Sequence, residues 1–124
     1  AVCDLVPGVK PQLAFYEMYG SEGFRAFEET CDYAKKKNLL VLVDGKRNDI
    51  GSTAEAYANA FLGEVDLFGE KRGVVDADAL TITPYLGWDG IKPFTDVTRQ
   101  KIGRGLFVLV KERLINEKIW FTRV

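Results

Sequence analysis

Histidine is absent from this 124-residue chain. Without it, no Ser-His-Asp or Cys-His nucleophile and no imidazole-held metal can be built, so acid–base work falls to Lys, Asp, Glu, Tyr or Cys. Cysteine is scarce too: Cys3 and Cys31 are the only two, far apart and outside any Cys-x-x-Cys arrangement. Neither a disulfide framework nor a thiolate zinc site is indicated, and a reducing cytoplasm suits such thiols. An excess of either charge is missing, since 17 basic residues meet 18 acidic ones for a net charge of −1. That leaves no electrostatic footprint for nucleic acid. No apolar run approaches the roughly 20 residues that a membrane-spanning helix needs. The first residues also lack the basic and then apolar sections of a signal peptide, so the expectation is a soluble protein with no membrane partner. The chain begins at Ala1 and not at Met, which leaves room for a longer gene product.

Apolar residues are plentiful. At 47% hydrophobic, the chain is the size of one ordinary globular domain and can bury a core. Its organising stretch is Leu39 to Thr53 (LLVLVDGKRNDIGST). The opening apolar run, cut off by charge, suits a strand buried on both faces of a parallel sheet. Asp44 and Lys46 follow two apart, so an extended chain sends both side chains to one face and Gly45 to the other. Asp49 completes acid, base, acid. Ser52 through Glu55 fits a capping box, with Ser52 as N-cap and Glu55 folding back. The layout is strand, charged loop, helix. A solvated loop with exposed ion pairs accounts for the same charges, but their place directly after a buried strand is where α/β sheets and barrels put active sites.

Along the rest of the chain, Val2 to Lys10 can end as a strand that Pro11 stops, with Lys10 either a solvated terminus or a partner of the Asp44 loop. Gln12 to Tyr19 reads as a connection or short helix. Ser21 can cap a helix running to Lys37, because Phe24, Phe27, Cys31 and Ala34 fall on one face. Lys35-Lys36-Lys37 reads as a solvated helix end that complements the dipole. A helix from Thr53 to Leu62 ends at Gly63, and Glu64 to Asp76 reads as a loop with at most one helical turn. Ala79 to Thr83 is a second buried-type strand, Trp88 to Gln100 a further helix, and Leu106 to Val110 a third apolar strand. Gly103-Arg104-Gly105 precedes a strand, whereas a dinucleotide fingerprint follows one, and Gly45-Lys46-Arg47 lacks the rest of a P-loop. No cofactor is supported. The repeated βα units describe a parallel sheet, with a doubly wound sheet and part of a (β/α)8 barrel both open.

The run Asp44 to Tyr57 (DGKRNDIGSTAEAY) resembles orotidine 5'-phosphate decarboxylase, specifically its bacterial branch with longer chains. The likeness extends to Val9 to Glu17 (VKPQLAFYE), Thr81 to Gly87 (TITPYLG) and Leu106 to Lys111 (LFVLVK). It implies an α/β fold of (β/α)8 TIM-barrel type, here a partial barrel over residues 1–111 holding strands two to five. It further implies a homodimer without metal or organic cofactor that converts orotidine 5'-phosphate to UMP and CO2 in pyrimidine biosynthesis. Carried over residue by residue, Lys46 is the general acid that protonates C6 as CO2 leaves. Asp44 and Lys10 complete an alternating charge network with it. Asp49 reaches with Thr53 into the neighbouring subunit's site, and Ile50 is a further substrate-binding position.

The likeness stops after Lys111, and residues 112–124 form a divergent tail. A (β/α)8 barrel usually needs about 250 residues, so a gene fragment or a frameshifted end is expected, with two exposed strand edges that invite pairing. Two other readings stand beside the decarboxylase. One is a related magnesium-dependent sugar-phosphate decarboxylase sharing the Asp-x-Lys-x-x-Asp loop. The other is a catalytically incomplete fragment that only self-associates or binds a partner.

Overall fold

Helical periodicity and short apolar runs alternate along the chain, and the elements follow that alternation. The computed structural model describes residues 3–110; the divergent tail expected at 112–124 lies outside the described residues. The order is β1 (Gly8–Val9), α1 (Ala14–Glu17), α2 (Gly20–Lys36), β2 (Leu40–Arg47), α3 (Gly51–Phe61), β3 (Val65–Leu67), β4 (Glu70–Arg72), β5 (Ala79–Ile82), α4 (Trp88–Gln100) and β6 (Gly105–Val108). β1, β2, β5 and β6 form a four-stranded sheet in that order, and each neighbouring pair is parallel. Strands that appear in sheet order as they do in the chain, each joined by a helical crossover, are what successive sectors of a barrel produce. β3 and β4 pair antiparallel as a separate hairpin.

The core lies between the sheet and the helices. Val41 and Val43 of β2, and Leu80 and Ile82 of β5, are fully buried with Phe27 and Cys31 of α2, Ala58 of α3 and Phe94 of α4. Phe27 meets Tyr16 edge-on, with ring centroids 5.3 Å apart. Gly23 allows this contact: a Cβ there would come within 1.9 Å of the Tyr16 carbonyl oxygen, so any side chain would drive α1 off α2.

Five expectations change. The Leu39 run is not buried on both faces: Leu40 is 61% exposed, while Val41 and Val43 are wholly buried. The first strand shortens to Gly8–Val9, leaving Leu5 exposed. Neither expected cap forms. α2 starts after Tyr19 and α3 after Ile50, both without a side-chain cap, and Gly51, at φ +55°, makes the turn into α3 that Ser52 was expected to make. Glu64 to Asp76 contains the β3–β4 hairpin. Finally, Lys35 is no solvated terminus, since its Nζ lies 2.8 Å from Asp76 Oδ2 and ties the end of α2 to the segment leading into β5.

Candidate active site

β2 runs past its apolar section, and its last residues cross the C-terminal ends of β1 and β5, the end where barrels assemble their chemistry. The site is held there by backbone first. Asp44 N–H donates to the Pro11 carbonyl at 3.0 Å, and Leu13 N–H donates to the Asp44 carbonyl at 3.2 Å. On the far side Thr83 N–H donates to the Arg47 carbonyl at 3.0 Å. Between these anchors the β2–β5 register breaks, from Val43 to Arg47, and Lys46 takes φ +46°. A left-handed backbone costs a non-glycine residue roughly 1–2 kcal/mol, so the surroundings must enforce it.

The Asp44 side chain is the centre. It is buried, 4% exposed, and its carboxylate receives four donors. Lys46 Nζ and Thr81 Oγ1 reach Oδ1 at 2.8 and 3.0 Å, while Lys10 Nζ and Gln12 Nε2 reach Oδ2 at 2.8 and 3.0 Å. Burial alone pushes the carboxyl up, but hydrogen bonds from Lys10, Lys46 and Thr81, with the Lys46 charge, outweigh it and leave the carboxyl at about 2. Asp44 is therefore ionised at neutral pH. The Lys10 and Lys46 side chains remain 57% and 41% exposed. Two ammoniums against one carboxylate leave a net positive charge facing solvent, a field that suits an anionic ligand and charge developing on it.

The expected residues divide into two groups. Lys10, Asp44 and Lys46 come together, and Lys10 thereby loses its alternative as a free strand end. Asp49, Ile50 and Thr53 do not join them. Asp49 makes no ion pair with Lys46 within the chain; its Oδ1 accepts the Ile50 N–H at 2.8 Å. Ile50 and Thr53 are exposed at the start of α3. Ile50 also lines a groove of about 680 Å³ between α3 and α4, together with Glu55, Asp89, Lys92 and Asp96. That acidic lining repels an anion, and none of the clustered groups enters it.

Three contributors carry no role in the sequence reading. Gln12 lies two residues beyond Lys10 and so shares its side of the chain, a period-two signal that ends in a parallel bridge to Asp44. Thr81 is a hydroxyl set between two core residues of β5. Arg47 leaves the opposite face from Lys46, pairs with Glu17, and lies over the rings of Tyr57 and Phe61 at 5.3 and 5.5 Å. It pins the loop to α1 and α3.

Comparison with known proteins adds the lineage. Residues 1–112 match the family described as "Orotidine 5'-phosphate decarboxylase / HUMPS family". The chain belongs to that family. Orotidine 5'-phosphate decarboxylase of Caldicellulosiruptor saccharolyticus is 52% identical over 111 residues, which cover 90% of this chain and 36% of the relative. The enzyme of the same name from Rhodopirellula baltica is 49% identical over 111 residues, covering 90% and 35%. Among solved structures, Leishmania donovani OMP decarboxylase superposes with a TM-score of 0.70 at 31% identity, over 87% of this chain and 37% of that one. A Streptomyces avermitilis protein proposed as an orotidine 5'-phosphate decarboxylase gives 0.75 at 41%, over 86% and 35%. The chain thus spans about a third of the length of these relatives, and its parallel βα units are part of a TIM barrel.

Proposed function

We propose that this chain is the part of an orotidine 5'-phosphate decarboxylase that carries the acid–base machinery, converting orotidine 5'-phosphate to UMP and CO2. One observation carries the reading: in a member of this family, Lys46 and Lys10 bracket a buried, ionised Asp44 at 2.8 Å each. Loss of CO2 from C6 leaves an electron pair in an sp² orbital that the ring cannot delocalise. A fixed ammonium stabilises that charge as it develops, and Lys46 then gives its proton to C6. Asp44 orients the ammonium and, beside the substrate carboxylate, disfavours the ground state. Lys10 keeps Asp44 ionised.

The active form is a homodimer in which Asp49, Thr53 and Ile50 serve the neighbouring subunit's site. What supports this is the exposure of Ile50 and Thr53 and the absence of an Asp49–Lys46 ion pair within one chain. The chemistry needs no metal, which separates this reading from the magnesium-dependent sugar-phosphate decarboxylases.

The test is decarboxylation of orotidine 5'-phosphate, followed by ultraviolet absorbance. It is run on the purified chain alone and on the chain mixed with a polypeptide carrying the rest of a relative's barrel. Binding energy from the distant phosphate lowers the barrier at the reacting carbon, so the mixture is expected to be the faster. Turnover that survives EDTA and vanishes in Lys46→Ala supports the proposal. A folded chain that turns over in neither setting overturns it.

A further inference from the structure

Thr81 sits in mid-strand between Leu80 and Ile82, both wholly buried, and touches both members of the Asp44–Lys46 pair. Its Oγ1 donates to Asp44 Oδ1 at 3.0 Å and accepts the Lys46 backbone N–H at 2.9 Å. The direction is fixed by inventory: a hydroxyl has one hydrogen, an ionised carboxylate only accepts and an amide N–H only donates. The β2–β5 ladder is interrupted between Val43 and Arg47, and the Thr81 hydroxyl is the acceptor that the Lys46 N–H meets there. Lys46 is also the residue of this loop with a left-handed backbone, at φ +46°, and sequence gives a lysine no preference for it.

We propose that Thr81 is a positioning residue for Lys46. By binding the Lys46 N–H and the Asp44 carboxylate with one hydroxyl, it fixes the lysine's strained backbone relative to the carboxylate that its own ammonium meets. The ammonium is thereby delivered from both ends, through Nζ on Asp44 and through the main chain on Thr81. A β-branched side chain suits this task, because its χ1 is stiff. The functional side of the proposal rests on the reading of Lys46 as proton donor.

The experiment compares Thr81→Val, which keeps the shape and removes the hydroxyl, with Thr81→Ser, which keeps the hydroxyl. Three readouts are taken on the full chain: hydrogen exchange of the Lys46 amide, the Asp44 carboxyl titration by carbon NMR, and kcat against KM with the barrel completed as above. In Thr81→Val the Lys46 amide is expected to exchange about tenfold faster, Asp44 to titrate above its wild-type position, and kcat to fall with KM unmoved. Thr81→Ser restores all three. Wild-type exchange and titration in Thr81→Val would overturn the proposal. Should Thr81→Val not fold, Thr81→Cys, a weak donor and acceptor, is expected to move the same readouts less far, and their constancy would count against the proposal equally. If exchange and titration shift while even the wild-type chain never turns over, the decarboxylase reading fails and the positioning of Lys46 stands.

Discussion

Lys10 and Lys46 grip opposite oxygens of one carboxylate: Lys10 Nζ lies 2.8 Å from Asp44 Oδ2, and Lys46 Nζ lies 2.8 Å from Oδ1. Lys10 directly follows β1 and Lys46 lies in β2, so the pairing reports the β1–β2 register as much as it builds a site. A shift of one residue would turn Asp44 toward the helices and put a charge among Val41, Val43 and Leu80. The charge network and the hydrophobic core therefore select the same register.

The first prediction concerns pH. Asp44 stands at about 2 in the folded chain against an ordinary 3.8, so the folded state binds the proton more weakly than the unfolded one. The resulting stability is present above about pH 4 and is lost as pH falls from 3.8 through about 2, with a total of about 2 kcal/mol. Urea unfolding of the wild type and Asp44→Asn at several pH values should show their difference shrinking across that window. Parallel curves would refute the linkage.

Lys46→Arg keeps the positive charge but holds its proton too tightly to release it. Turnover in any active form should vanish, while the fold is kept, because arginine retains the positive charge that faces the buried Asp44 carboxylate. Decarboxylation near the wild-type rate would sink the assigned role.

How far these features could be read from residues alone varies with their range. β2, β5 and α2 announce themselves by apolar runs or helical spacing, and Asp44 with Lys46 by a spacing of two. The β3–β4 hairpin does not, because its turn is made by Phe68 and Gly69 at φ +57° and +91°, and phenylalanine is no signal for a left-handed turn. Lys35 looked like any lysine in a last helical turn, since its partners Asp76 and Asp78 lie some forty residues on. Gln12 and Thr81 declare a role only once the strands are side by side. The missing caps have a local cause: Gly20 and Gly51, at φ +64° and +55°, turn the chain one residue before Ser21 and Ser52 can.

A second ion cluster, at the N-terminal end of β5, gives the third prediction. The Arg104 side chain is 12% exposed and donates to the Asp76 carboxylate, to the Ala77 carbonyl at 2.6 Å and to the Asp76 carbonyl at 3.0 Å. Burial pushes the Asp76 carboxyl up, yet the Lys35 hydrogen bond and the charges of Arg104, Lys35 and Lys101 bring it below the ordinary value. Arg104→Ala strands several half-buried acceptors and should cost about 2–3 kcal/mol in urea unfolding. Arg104→Lys should recover part of it, having charge without the fork. A loss under about 0.5 kcal/mol would show the cluster to be ordinary surface pairing.

The last prediction separates the two thiols. Cys31 is wholly buried on the inner face of α2, and burial, with Asp32 and Glu28 adding and Lys35 opposing, pushes its thiol up to about 12. At pH 8 only about one molecule in ten thousand would then carry the reactive thiolate, and no reagent reaches it without local opening. Cys3 is half-buried, beside an apolar groove of about 350 Å³ that Val9, Tyr33 and Leu39 also line. A thiol reagent at pH 8 should label Cys3 in the native chain and reach Cys31 only as the chain unfolds, so that urea releases one further equivalent. Equal native rates for both would mean that α2 leaves the sheet readily, and the Phe27–Cys31–Ala34 face would not be the core it is here.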